Sequence, residues 1–420
     1  MTVFGLLRSP RHVLFGAGQR RALGTLAASV GRRALVCTDA RFSSTPDFDE
    51  LLGLLRGAGM EVSTFTETLP DVPTGQVVEC AELARRAAPD VVLGMGGGSC
   101  IDLAKSVTVL LAHGGRPQDY YGEFRVPGPT LPLIALPTTA GTGSEVTPVA
   151  VLSDPERSSK VGISSPHIIP WGAVCDPELT YGSPPALTAS TGADALAHAV
   201  EAFTAIRREP EPGLSAARVF VGKSELTDQY ALLAVRLIAA NFHRAWSDPD
   251  DLEAREAMML AAMAGGFALG TAGTAAAHAI QYPLGALTHT PHGVGVGALL
   301  PYVMEFNRNV REQELARIAR EMRVPLQGDD AELADASIEA VADLLASVGI
   351  PRTLGELGLA EDKVGWTAEQ SLNAARLVEN NPRRLDAAGA ERIVRAAYAG
   401  DRTGLRDEHE PLVAARGGSL

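Results

Sequence analysis

At 420 residues the chain is too long for one ordinary compact core, so two domains are the starting expectation. Hydrophobic residues make up 46% and charged residues 21%, the balance of a soluble globular protein. A formal net charge of -13, spread along the chain, disfavours nucleic acid and anionic membranes as partners because their phosphates would be repelled.

The opening stretch "MTVFGLLRSPRHVLFG" has no apolar run of secretory length and no small-residue cleavage site. No segment reaches the roughly 18 consecutive apolar residues that a membrane span needs. Cys37, Cys80, Cys100 and Cys175 show no C-x-x-C spacing and read as free thiols in a reducing compartment. The expectation is a cytoplasmic protein.

The first half alternates strand-like and helical patterns. "RALVCTD" (33–39) reads as a buried strand, "FDELLGLLRGAG" (48–59) as a helix closed by glycine, "EVSTFTE" (61–67) as a strand and "GQVVECAELARRAA" (75–88) as a helix. "DVVLGMGGGS" (90–99) is a strand running into glycines, followed by the helix "CIDLAKSVTVLL" (100–111) and the strand "LPLIALPTT" (131–139). Such alternation implies βαβ units and a parallel sheet. After Pro184 and Pro185 the pattern turns helical throughout, as in 255–270, 335–349 and 389–400. The expected domains are therefore an α/β domain over 1–185 and an all-α domain over 186–420. Residues 206–222 read as a long surface loop, and the tail from about 403 as frayed.

Two loops in the first half suit a polar ligand. In "GMGGGS" (94–99), glycines between strand and helix allow close backbone approach, and a helix N-terminus offers N–H groups and a positive dipole end to phosphate. Ser99 and Asp102 equally fit a capping box around a tight turn. "PTTAGTGSEVT" (137–147) is either a Gly/Thr surface turn or a wrap around a ligand. Two such loops at adjacent strand ends favour a nucleotide outside the sheet. Asp39, at the end of 33–39, is either a helix cap or an acceptor for adenosine ribose hydroxyls, the latter preferring NAD to NADP.

In "STGADALAHAVEAF" (190–203), Asp194 and His198 stand four residues apart and share a helix face. They can grip one cation, or His198 can be a core histidine satisfied by its helical neighbour. Further along, His278 lies in a small-residue helix, and the Gly/Pro-rich stretch after it could bring His292 back beside it. One carboxylate and three imidazoles suit a first-row divalent metal, Fe(II) or Zn(II). His289 competes with His292 for this place and is read as lining the cleft instead.

These pieces together resemble the iron-containing (group III) alcohol dehydrogenases. The matching stretches are "GGGSCIDLAK", "PTTAGTGSEVTP", "DPEL" (176–179), "GADALAHAVEAF", "HAIQYPLGALTHTPHG" and "NNPRR" (380–384), in the family's order across nearly the whole chain. The resemblance implies an N-terminal dinucleotide-binding α/β domain with a parallel sheet, an all-α C-terminal domain, and a metal in the cleft between them. It implies Asp194, His198, His278 and His292 as metal ligands. Gly97, Gly98 and Ser99 would meet the pyrophosphate, and Asp102, Thr138, Thr139, Lys160 and Leu179 the cofactor's ribose and nicotinamide surroundings, with Asp39 at the adenosine ribose. A homodimer or higher homo-oligomer is also implied.

Two departures stand out. Many members of that family carry a histidine four residues after the position of His278; here it is Tyr282, whose ordinary pKa near 10 makes it a poorer base. The proton route then falls to Tyr282, His289 or water. Segment 206–222 is also longer than the family's usual connection. The expected reaction is hydride transfer between NAD(H) and a small or medium alcohol or aldehyde, with the metal as Lewis acid. A dehydroquinate-synthase-like or maleylacetate-reductase-like enzyme would need basic residues for its phosphate or carboxylates, and the segments around the four ligands contain none.

Overall fold

The computed structural model describes residues 4–157 and 159–406. Contacts divide it into two units: Arg8–Ser183 with Ala216–Val219, and Pro184–Ser215 with the stretch ending at Leu7 and the chain from Phe220 onward. Two short stretches thus lie across the expected boundary.

The α/β unit runs β1 (His12–Phe15), α1 (Leu23–Ala28), β2 (Arg33–Cys37), α2 (Pro46–Gly57), β3 (Glu61–Phe65), α3 (Thr74–Ala87), β4 (Val91–Gly96) and α4 (Gly98–His113). There follow β5 (Gly122–Glu123), β6 (Leu133–Pro137), β7 (Val149–Asp154), β8 (Ser159–Ser164) and β9 (Gly172–Cys175). Six strands form a wholly parallel sheet in the order β1-β9-β6-β4-β2-β3. Helices cover both its faces, which is why β2 and β4 read as continuous apolar runs rather than alternating ones. Leu35, Cys37 and Val92 pack with Val77 and Leu103 on one face, while Val36, Val91 and Leu93 pack with Leu51 and Leu55 on the other.

A second, three-stranded sheet, β5-β8-β7, joins β7 and β8 antiparallel. It has no counterpart in the sequence expectation, because β5 has two residues and β7–β8 carry no strong apolar period. The short strands β1 and β9 also escaped it. Both gain their identity from pairing with each other, and β9 also from β6.

The helical unit contains α5 (Pro185–Thr204), the first half of α6 (Leu214–Ala217), α7 (Glu225–Ser247), α8 (Leu252–Ala272), α9 (Ala276–Thr288) and α10 (His292–Asn307). It continues with α11 (Glu312–Glu321), α12 (Asp330–Ser347), α13 (Val364–Ser371), α14 (Ala375–Asn380) and α15 (Ala387–Ala399). Helix α5 packs against α7, α8 and α10, so it is apolar nearly all round. None of the described helices is by itself long and apolar enough to cross a membrane.

Two expectations need correction. Segment 206–222 is not a surface loop throughout: Val219, Phe220 and Val221 are buried, and Arg207 bridges Gly222. Val219 is held by its main chain, donating to Glu123 and accepting from Arg8 at 2.7 Å. The tail is not loose at 403–406 either. Leu405 is buried, and Arg406 pairs with Glu305 and Asp335. Residues 407–420 lie outside the described residues.

Candidate functional site

Helix α5 starts on a proline, which presets its first turn, and from Gly192 to Thr204 it is buried without a break. A carboxylate and an imidazole inside such a helix are costly unless something satisfies them. The chain brings two more imidazoles to them by two turns. Helix α8 ends at Gly273 in the left-handed region (φ 81), and Asn380 holds the turn by donating to the Ala272 and Thr274 carbonyls at 3.0 and 3.1 Å. His278 then stands in the first turn of α9. That helix closes on His289, itself left-handed (φ 54), and α10 begins at His292. Gly293 is indispensable to this approach: a Cβ there would lie 1.9 Å from the Ser190 carbonyl oxygen of α5.

The result is a convergence on one atom. The Nε2 atoms of His198, His278 and His292 lie 3.5, 3.6 and 3.7 Å from Asp194 Oδ1. Donor atoms of Asp194, His278 and His292 all fall within 4.8 Å of one another. Four ligands at about 2.0–2.1 Å around a tetrahedral ion stand about 3.4 Å apart, so these spacings suit a metal better than they suit direct hydrogen bonds. Asp194 Oδ1 and His278 Nε2 are buried without a hydrogen-bond partner, a rare state for such groups.

The electrostatics point the same way. Burial alone would raise the Asp194 carboxyl, but the three surrounding imidazoles hold it well below the usual carboxylate range. Burial pulls His278 down, yet the Glu201 and Asp194 carboxylates outweigh it and push it up to about 9. The site favours positive charge at its centre.

The reading of the sequence passes over Glu201. It is buried in α5, three residues after His198 and seven after Asp194, hence on their helix face. A third polar group at helical spacing in so apolar a stretch was the available clue. Tyr282 lies half-buried with its ring 6.5 Å from that of His292. His289 is exposed and makes no ion pair with Asp194 among the described residues.

In the α/β unit, β4 runs through Gly96 (φ 146) into α4, whose N-cap is Gly97 with no side-chain cap. The Ser99–Asp102 capping box is therefore not formed. Asp102 instead accepts from Ser144 Oγ at 2.6 Å and Val151 N at 2.9 Å, while burial raises its carboxyl against the pull of Lys105. Lys105, wholly buried, donates to Ser144 Oγ, Thr147 O, Thr147 Oγ1 and Val149 O at 2.7–3.1 Å. Helix α4 thereby pins the 137–147 loop beside the glycines. A Cβ at Gly98 would meet Thr142 Cγ2 at 2.7 Å, and one at Gly97 would come within 3.6 Å of Thr139 Oγ1. Thr138 Oγ1 is buried and unpartnered. An uncapped helix start, two glycines and an orphaned hydroxyl make a cradle fit for a pyrophosphate.

The remaining cofactor candidates are more scattered. Asp39 caps the turn after β2 by accepting from Phe42 N at 2.8 Å, and its Oδ2 lies 3.5 Å from Cys100 Sγ. Lys160 is on β8, paired with Asp71 at 2.7 Å. Leu179 packs in the core with Phe42 and Met95.

Comparison with known proteins settles the kinship. Residues 10–177 match the iron-containing alcohol dehydrogenase profile, and residues 188–398 match the C-terminal profile of the Fe-containing alcohol dehydrogenases. The chain belongs to the iron-containing alcohol dehydrogenase family. It is 32% identical over 390 residues to the NAD-dependent methanol dehydrogenase of Bacillus methanolicus, covering 92% of this chain and 98% of that protein. The crystal structure of a 1,3-propanediol oxidoreductase matches with a TM-score of 0.87 and 33% identity, over 94% of this chain and all of that one. A sulfoacetaldehyde reductase from Bifidobacterium kashiwanohense, solved with NAD+, matches with a TM-score of 0.80 and 30% identity, over 96% and 100%. As in the sequence, the α/β architecture with a helical second half is that of this family.

Proposed function

We propose that this member of the iron-containing alcohol dehydrogenases oxidises small or medium alcohols, and reduces the matching aldehydes or ketones, by hydride exchange with NAD(H). The reading rests above all on the three Nε2 atoms gathered 3.5–3.7 Å from Asp194 Oδ1. Asp194, His198, His278 and His292 would hold Fe(II) or Zn(II), both of which accept this mixed oxygen–nitrogen donor set. Bound there, the metal supplies Lewis acidity toward the alcohol or carbonyl oxygen, and NAD supplies the hydride acceptor.

The chain's own residues do the rest. Gly97, Gly98, Ser99 and the start of α4 bind the pyrophosphate, with Thr138 and Thr139 on the adjoining loop. Asp39 faces the adenosine ribose and repels a 2′-phosphate, which favours NAD over NADP. Tyr282, beside His292, takes the alcohol proton toward solvent, with exposed His289 as the second station. The balance is an alcohol and NAD+ giving a carbonyl compound, NADH and one proton. The names of the relatives, a methanol dehydrogenase and a 1,3-propanediol oxidoreductase, agree with a short alcohol.

The test is steady-state turnover of NADH and NAD+ with a panel of aldehydes and alcohols, alongside metal analysis. His278→Ala should strip both metal and turnover while the protein stays folded. A fully active, metal-free His278→Ala protein would end the proposal.

A further inference from the structure

Glu201 makes three contacts from inside α5. Its Oε1 accepts from Ala277 N at 2.7 Å, its Oε2 accepts from Ala275 N at 3.0 Å, and Oε2 lies 2.6 Å from His278 Nδ1. Two of these tie down the start of α9, which has no side-chain cap of its own. The third concerns chemistry. Peptide N–H groups can only donate, so both carboxylate oxygens are already acting as acceptors, and the short contact to Nδ1 is completed by a proton on that nitrogen.

We infer that Glu201 is a positioning residue of this site: it fixes the His278 proton on Nδ1 and so leaves the Nε2 lone pair aimed at the point where Asp194, His198 and His292 converge. The neutral ring has two tautomers. With the proton on Nε2, the ring would donate toward Asp194 Oδ1, 3.6 Å away, and could not ligate a metal. Without Glu201 nothing opposes that second tautomer, because Asp194 is then the better acceptor. Outer carboxylates that orient a ligating histidine in this way are worth about 10–100-fold in metal affinity. The inference rests on the metal reading above and adds to it a residue that touches neither substrate nor cofactor.

A glutamine at 201 separates this role from simple capping. Its amide oxygen can still accept from Ala277 N, but its NH2 group, in the place of Oε2, no longer accepts from Ala275 N; it donates toward Nδ1 and drives the proton onto Nε2. Zinc affinity of the full chain, measured by chelator competition, should fall about 10–100-fold in Glu201→Gln. The melting temperature of the metal-free protein should fall only by what the lost Ala275 contact costs, with a cooperative transition retained. The zinc-loaded chain with nitrogen-15-labelled histidine should show a downfield, exchange-protected imidazole N–H that disappears in His278→Ala and moves upfield and exchanges faster in Glu201→Gln. Unchanged zinc affinity in folded Glu201→Gln overturns the inference, as does a weakened affinity that merely follows a lost melting transition. If Glu201→Gln does not fold, the zinc-loaded unsubstituted chain decides: a protected N–H assigned to His278 supports the role, and its absence overturns it. A chain that binds no zinc at all defeats the metal reading itself, a different result from equal binding by the variant.

Discussion

In the α/β unit the polar groups that face the candidate nucleotide are main-chain amides exposed by glycines, with small hydroxyls around them. In the helical unit the candidate metal ligands are four side chains, those of Asp194, His198 and His278 buried and that of His292 partly exposed. A backbone cradle tolerates change wherever a neighbour can rotate away. A cluster of buried donors does not, because its geometry is stored in helix contacts that are themselves close-packed. Gly98 and Gly293 show the contrast: an added Cβ meets a threonine methyl at the first and a backbone carbonyl oxygen at the second.

The hardest blow to this contrast is Asp194→Ala, which removes the atom all three imidazoles share. Metal content should fall to background and turnover by more than the roughly 100-fold that marks the loss of an outer partner, as read by elemental analysis and NADH kinetics. Retained metal would mean that the imidazoles alone define the site.

Gly293→Ala comes next. Pushing α10 away from α5 should cost about 1–3 kcal/mol in urea unfolding and weaken metal binding through the adjacent His292. The companion Gly98→Ala should leave metal binding unchanged, cost less than about 1 kcal/mol, and raise the KM for NAD. Equal stability losses would erase the distinction between the two regions.

Acidity gives a third handle. His278 is pushed up to about 9 in the metal-free protein, so below that pH a metal must displace a proton to reach Nε2. Apparent metal affinity should therefore drop by up to about tenfold per unit as pH falls from 9 toward 7, in a chelator-competition titration. A flat profile would mean that His278 is not a ligand.

The smallest effect belongs to the α/β unit. Glu145 is buried, and burial raises its carboxyl to about 7 although Lys105 opposes this. A folded-state value above the unfolded one means that the native protein carries a penalty that is absent at pH 4, grows between about 4.5 and 7 and is complete above about 7. Glu145→Gln should raise stability by about 1–2 kcal/mol at pH 8 and by almost nothing near pH 4, by denaturant unfolding at the two pH values.

Much of this was readable from residue order. The long runs at β2, β4 and β6 and the helices between them are local signals, and the Asp194–His198 pair follows from helix periodicity alone. Glu201 sits in the same quoted stretch, but nothing in the order of residues says that its partners are Ala275, Ala277 and His278, more than 70 positions away. Asp102 misled in the same way: its spacing from Ser99 fits a cap, yet Ser144 and Val151 claim it.

By itself, then, the order of residues determined which segments coil, which extend, and which side chains share one turn of helix, since these depend on neighbours within a few positions. Only the tertiary structure decided that three imidazoles meet one carboxylate oxygen, that β1 joins β9 at the sheet's edge, and that a buried glutamate meets a ring far along the chain. Those outcomes depend on packing between segments far apart in the chain, where a clash or a missing Cβ such as that of Gly293 selects one arrangement from many that local preference allows.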